Sequence, residues 1–243
     1  MKIFSLFILF SFAQIAVASV ILIDPGHGGE DTGAKSVGKN IVYEKDLTLK
    51  IATKIQDYLQ HKHVCYLTRS LDRTVSLMER ADMAEKVKAD FFISIHINSS
   101  GDKSSHGFET YYLDNHNQVA NRKVEAVENA VLSGEDKVIN QILIDLVIQN
   151  TVVQSKKLAQ TIHSSLARTV QKNYSLTNRG VKPGLFYVLA LSKRPGVLLE
   201  SGFISNPTEL AKLRRADYQD AYAKSVAEGI ERFLLANNRP VKN

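Results

Sequence analysis

The chain has 243 residues, 44% of them hydrophobic, and a net charge of +6 from 31 basic and 25 acidic side chains. The basic residues are scattered (Lys35, Lys39, Lys156, Lys157, Arg214, Arg215) rather than gathered in a stripe with stacking aromatics, which argues against a nucleic-acid partner. The charge leaves two readings open: a solvated surface slightly rich in lysine, or screened attraction to an anionic polymer. The single cysteine, Cys65 in HVCYL, rules out an intramolecular disulfide and reads as a small buried apolar residue.

Residues 1–18 read as a secretory signal peptide. Lys2 supplies the positive start, residues 3–12 the apolar stretch, and Ala16-Val17-Ala18 the cleavage site, so processing is expected before Ser19. The same stretch read as a retained anchor is near the lower length limit for spanning a bilayer. There is no twin arginine, so the general secretory route is expected, with no transmembrane anchor after processing. Residues 19–243 fit one α/β domain with a sizeable core.

Strand and helix signals then alternate. Residues 20–24 read as a strand, and 44–60 as a helix with Leu47, Ile51, Ile55 and Leu59 on one face. Residues 64–68 are a strand, 75–88 a helix, 90–95 a buried strand and 108–113 another. Residues 115–151 read as a helical insertion, with no proline and Gly134 as its only glycine, before a further helix from Val152. Residues 185–189 and 197–200 read as the last two strands, Asn206-Pro207 opens a helix, and 218–236 is a C-terminal amphipathic helix. This alternation predicts a mostly parallel twisted sheet of about six strands with helices on both faces. Ligand sites in such folds lie beyond the carboxyl ends of the strands, where His27, His96 and Glu200 all fall.

The segment ILIDPGHGGEDTGA, residues 21–34, ends an apolar strand in a glycine-rich loop with His27 at its centre. It lacks the lysine and Ser/Thr of a phosphate-binding P-loop, and its glycines are not spaced G-x-G-x-x-G. Glu44 opens the helix of YEKDLTLKIA, where the helix dipole favours an ionised carboxylate. His96 lies in ISIHINSS and Glu200 ends the apolar run of VLLESGFISNPTE. Taken singly these have plain readings: a turn histidine, a dipole-favoured glutamate, a strand-end histidine, and a carboxylate in a buried ion pair, for instance with Arg80. Two histidines and one carboxylate with a position left open are a catalytic rather than a structural zinc arrangement. Nucleophilic alternatives lack support, since Cys65 is strand-internal and no G-x-S-x-G occurs.

The order His27, Glu44, His96, Glu200, each in its local motif, resembles the zinc-dependent N-acetylmuramoyl-L-alanine amidases of the amidase-3 type, over the chain after Ser19. The resemblance implies one zinc ion held by His27, Glu44 and His96, Glu200 as the catalytic acid–base group, and peptidoglycan as substrate. The bond cut would join N-acetylmuramic acid to L-alanine of the stem peptide, in wall remodelling and daughter-cell separation. Another zinc-dependent peptidoglycan hydrolase (carboxypeptidase or deacetylase) and a non-catalytic wall-binding protein are the alternatives. Arg69, Asp72 and Arg80 match the family's pattern and are expected to support the fold. Asn98, Ser99 and Asn206 are either contacts of the site or loop formers. The histidines at 61, 63, 106, 116 and 163 lack ligand context, His106 being the one placed near the cleft. The helical insertion looks most like that of periplasmic division amidases of Gram-negative bacteria. By that likeness it would be autoinhibitory, with Glu128 reaching the metal until a septal activator protein displaces the helix.

Overall fold

The computed structural model describes residues 18–115 and 136–237. The signal peptide through residue 17 and Glu128 lie outside the described residues. Among the described residues, six strands form one sheet: β1 (Val20–Pro25), β2 (Val64–Leu67), β3 (Phe91–Asn98), β4 (Phe108–Leu113), β5 (Asn178–Gly184) and β6 (Gly196–Phe203), in the order β2-β1-β3-β6-β4-β5. β2, β1, β3 and β6 run parallel, β4 is antiparallel to β6, and β5 is parallel to β4. The mostly parallel sheet with helices on both faces agrees with the sequence pattern.

The inner strands β1, β3 and β6 read as near-continuous apolar runs because both their faces are covered. On one face Ile21, Ile23, Ile93, Ile95, Val197 and Leu199 meet α1 (Glu44–Leu59) and α6 (Ala216–Asn237) through Leu47, Ile51, Ile55, Val226, Ile230 and Phe233. On the other, Leu22, Phe92, Tyr111 and Leu198 meet Ala84 of α2 (Leu77–Lys86) and Val188 and Leu189 of α4 (Tyr187–Ser192). The long α3 (Asp136–Leu166) serves both: Ile144 and Ile148 pack on the second face, Leu158 and Ile162 on the first. A π turn at Ala167–Gln171 and one further turn to Tyr174 end it. α5 (Pro207–Leu213) starts at Asn206, whose side chain accepts from the amides of Thr208 and Glu209.

Two sequence expectations are corrected. Residues 185–189 are not a strand: Phe186 caps α4, and the strand is β5, one segment earlier. β5 carries Gly180, Pro183 and Gly184, which mask it from pattern reading, and a sheet edge tolerates them. The further helix does not begin at Val152 either. Asp136–Leu166 is one helix, since neither glycine nor proline occurs between Gly134 and Gly180 to break it.

Candidate metal centre and active site

The loop after β1 is shaped by the backbone of His27, which lies in the left-handed region at φ 61°. Such a conformation in a non-glycine residue is strained and persists only where its surroundings enforce it. Here two buried arginines grip the loop by its carbonyls. Arg69 donates to the oxygens of Pro25 (3.0 Å), Gly26 (2.9 Å) and Lys45 (2.8 Å). Arg80 donates to Pro25 (3.0 Å) and His27 (2.9 Å) and pairs with the buried Asp24 carboxylate. Burial opposes ionisation of Asp24, but the Arg80 charge and the hydroxyls of Thr68 and Ser94 hold its pKa below the usual carboxylate value. Arg80 is thus the partner of Asp24 rather than of Glu200.

Two glycines set the spacing of the imidazoles. A Cβ on Gly26 would lie 2.5 Å from His96 Cε1, and one on Gly33 would lie 2.5 Å from His27 Cδ2 and 2.7 Å from Glu44 Oε2. With both absent, the rings of His27 and His96 meet edge to face, their centroids 5.0 Å apart. Glu44, the first residue of α1, is buried between them: its Oε2 is 3.2 Å from His27 Nε2 and its Oε1 3.2 Å from His96 Nδ1. Backbone amides of Ala34 and Ile97, both at 2.8 Å, orient that carboxylate. Asp31 accepts from His27 Nδ1 at 2.8 Å, the second contact that fixes a ligand imidazole's tautomer.

The donor set fits a divalent cation. His27 Nε2 is buried without a hydrogen bond of good geometry, and one ligand atom from each of His27, Glu44 and His96 lies within 4.8 Å of the others. Two imidazoles and a carboxylate gathered this closely are a donor set that a zinc ion takes. Burial lowers the His27 pKa, but the Glu44 and Asp31 carboxylates more than reverse this and raise it to about 10. A site that holds a proton so firmly has the negative field a cation needs.

Glu200 is buried on β6, in register with His96 of β3 on one side and Glu109 of β4 on the other. Residues paired in register project to the same face, so Glu200 stands beside the histidine–glutamate cluster. A cavity of about 200 Å³ opens on that cluster, lined among others by His27, Asp31, His96, Arg80 and Ser76. Asn98 reaches inward to Glu109 (3.0 Å), whereas Asn206 is a helix cap and Ser99 is exposed. Asp72 pairs with Lys45 (2.7 Å) on the loop's outer side, and His106 is exposed, bonded to the Ser104 carbonyl. Sequence reasoning missed Asp31 and Glu109. An acid four residues after the loop histidine was a usable signal for Asp31; nothing local marks Glu109.

Comparison with known proteins bears on this geometry. Residues 21–232 match the family model Amidase_3, N-acetylmuramoyl-L-alanine amidase. The chain is 35% identical over 214 residues to N-acetylmuramoyl-L-alanine amidase LytC of Bacillus subtilis, covering 88% of this chain and 35% of LytC. It is 31% identical over 221 residues to N-acetylmuramoyl-L-alanine amidase AmiA of Escherichia coli, covering 87% of this chain and 74% of AmiA. The crystal structure of N-acetylmuramoyl-L-alanine amidase from Clostridium difficile 630 superposes with a TM-score of 0.70 at 30% identity, covering 91% of this chain and 99% of that one. A match across nearly all described elements, with a buried His-Glu-His cluster at the strand ends, places the chain in the Amidase_3 family of N-acetylmuramoyl-L-alanine amidases.

Proposed function

We propose that the protein is an exported zinc-dependent amidase that hydrolyses the bond between N-acetylmuramic acid and L-alanine of the peptidoglycan stem peptide. The observation that carries this reading is the buried His27–Glu44–His96 cluster with Glu200 in register beside His96. His27, Glu44 and His96 would hold the zinc, and a bound zinc ion supplies Lewis acidity that polarises the scissile carbonyl and makes a water easier to deprotonate. Glu200 takes the proton of the attacking water and returns it to the leaving amine of L-alanine. Asp31 keeps the His27 ring in the tautomer that presents Nε2, while Arg69 and Arg80 keep the loop in its strained shape.

No described helix is long and apolar enough to cross a membrane. Export through the signal at residues 1–18 to the periplasm is part of the proposal, supported by the sequence pattern alone. So is an autoinhibitory role for the insertion read at residues 115–151, with Glu128 as the residue that would occupy the metal's open position until a septal activator removes it. Digesting purified peptidoglycan with the zinc-loaded protein tests the chemistry. Mass spectrometry is expected to find free stem peptides beginning with L-alanine beside intact glycan strands. Shortened stem peptides would indicate a carboxypeptidase, loss of acetyl groups a deacetylase, and binding without products a non-catalytic wall protein. Glu128→Ala is expected to raise basal hydrolysis without any partner; wild-type basal activity in a folded, zinc-loaded variant overturns the inhibitory role.

A further inference from the structure

The row of polar residues that crosses the sheet does not stop at Glu200. His96, Glu200 and Glu109 pair in register across β3, β6 and β4, and Lys182 of β5 pairs with Tyr111, two residues along β4 on the same face as Glu109. Glu109 is fully buried. It accepts hydrogen bonds from Arg179 Nε (2.9 Å), Asn98 Nδ2 (3.0 Å), the Tyr111 hydroxyl (2.7 Å) and the Lys182 ammonium. Arg179 is fixed further by the His106 carbonyl at 3.3 Å and lies over the Phe203 ring, 5.1 Å from its centroid.

The two cations differ from the anion that holds them. Glu109 is 0% exposed, while the Arg179 and Lys182 side chains are 36% and 37% exposed. Among the described residues, one buried carboxylate therefore anchors two cationic heads at the solvent edge of the row. A carboxylate needed only as a partner for one cation does not need two. Heads immobilised in this way meet a second carboxylate with little loss of side-chain freedom, and both form charge-assisted hydrogen bonds with it. β5 lies two strands from Glu200, about 10 Å at the usual strand spacing. An extended peptide covers that in roughly three residues at about 3.4 Å each.

We propose that Arg179 and Lys182, positioned by Glu109, form a subsite for a carboxylate of the substrate peptide, two to three residues beyond the scissile amide. The inference rests on the amidase reading for its substrate, and Glu109 in it is a positioning residue. Two N-acetylmuramoyl peptides test it, identical except that the carboxylates beyond L-alanine are free in one and amidated in the other. Wild-type enzyme is expected to show a KM about tenfold lower for the free acid at similar kcat, the scale of one charge-assisted contact. The double variant Arg179→Gln, Lys182→Met is expected to lose that difference by raising only the free acid's KM, and Lys182→Arg to retain it. Should the double variant fail to fold, Lys182→Met alone carries the comparison. Equal KM values in the wild type overturn the subsite, as does a variant whose kcat falls alike on both peptides. Calorimetric binding of both peptides to Glu200→Gln reads the same preference without turnover. Discriminated binding with no hydrolysis by the wild type would overturn the amidase reading and leave the subsite standing; equal binding, or none, would overturn the subsite.

Discussion

His96 and Glu200 face each other on adjacent strands, yet the roles proposed for them separate cleanly by mutation. His96→Ala removes a donor from the buried cluster and is expected to abolish both bound zinc and hydrolysis. Glu200→Gln is close to isosteric and is expected to keep one zinc per chain while turnover falls about 100-fold or more. Metal analysis beside a turnover assay distinguishes them, and loss of zinc from Glu200→Gln would make that residue a ligand instead. Arg80→Lys probes the grip on the loop. Lysine can still neutralise Asp24, but it cannot also reach the carbonyls of Pro25 and His27. Zinc affinity measured against a competing chelator is expected to drop about tenfold, the low end for lost outer contacts of a metal site; unchanged affinity would make Arg80 a fold residue only. The cluster itself was legible in the sequence because each member carries its own local motif. Glu109 was not, because what distinguishes it comes from β5, seventy residues downstream.

Packing between elements decides a case in which local and tertiary preferences disagree. Gly229 sits inside α6, where alanine would be favoured by about 1 kcal/mol from helix propensity. A Cβ there would lie 2.5 Å from Ile162 Cα, so α3 and α6 touch backbone to backbone. Overpacking of that kind costs about 1–3 kcal/mol, so Gly229→Ala is expected to lower Tm by a few degrees rather than raise it. His163 is a second link between elements. It is buried on α3, bonded to Thr110 Oγ1 (3.0 Å) and Asn178 Oδ1 (2.6 Å), and lies against Phe108. Burial lowers its pKa below 6.5, the Asn178 bond opposing this and Lys182 adding to it. Its folded pKa is below its unfolded one, so the associated stability is complete above pH 6.5 and is lost as pH falls from there toward the folded value. Thermal melts of His163→Gln are expected to lose less Tm than wild type between pH 6.5 and 5; parallel losses would place the acid sensitivity elsewhere. Strands buried on both faces announced themselves in sequence as apolar runs. β5 did not, since an edge strand is held by backbone pairing that side-chain pattern does not record.

At the scale of the whole molecule, the two layers on either side of the sheet share one element. α3 lays its rear half into the large core with α6, while its front half covers the face that carries the cluster. The halves differ in anchoring: Leu158, Ala159, Ile162 and Leu166 are fully buried, whereas Ile142, Leu143, Leu146 and Val153 are about half exposed or more. A helix so divided does not open as a unit, because the free energy of freeing an amide follows the packing around it. Hydrogen–deuterium exchange is expected to give two populations along a single unbroken helix. Amides of residues 142–150 should exchange through local fraying, and those of 158–166 only with global unfolding. The seam falls near Ser155, whose hydroxyl accepts from the Gly196 amide at the start of β6 and pins the helix there to the sheet. On that division of packing, the front of α3 is expected to loosen above the sheet face that carries the cluster at a lower free energy than the main core opens.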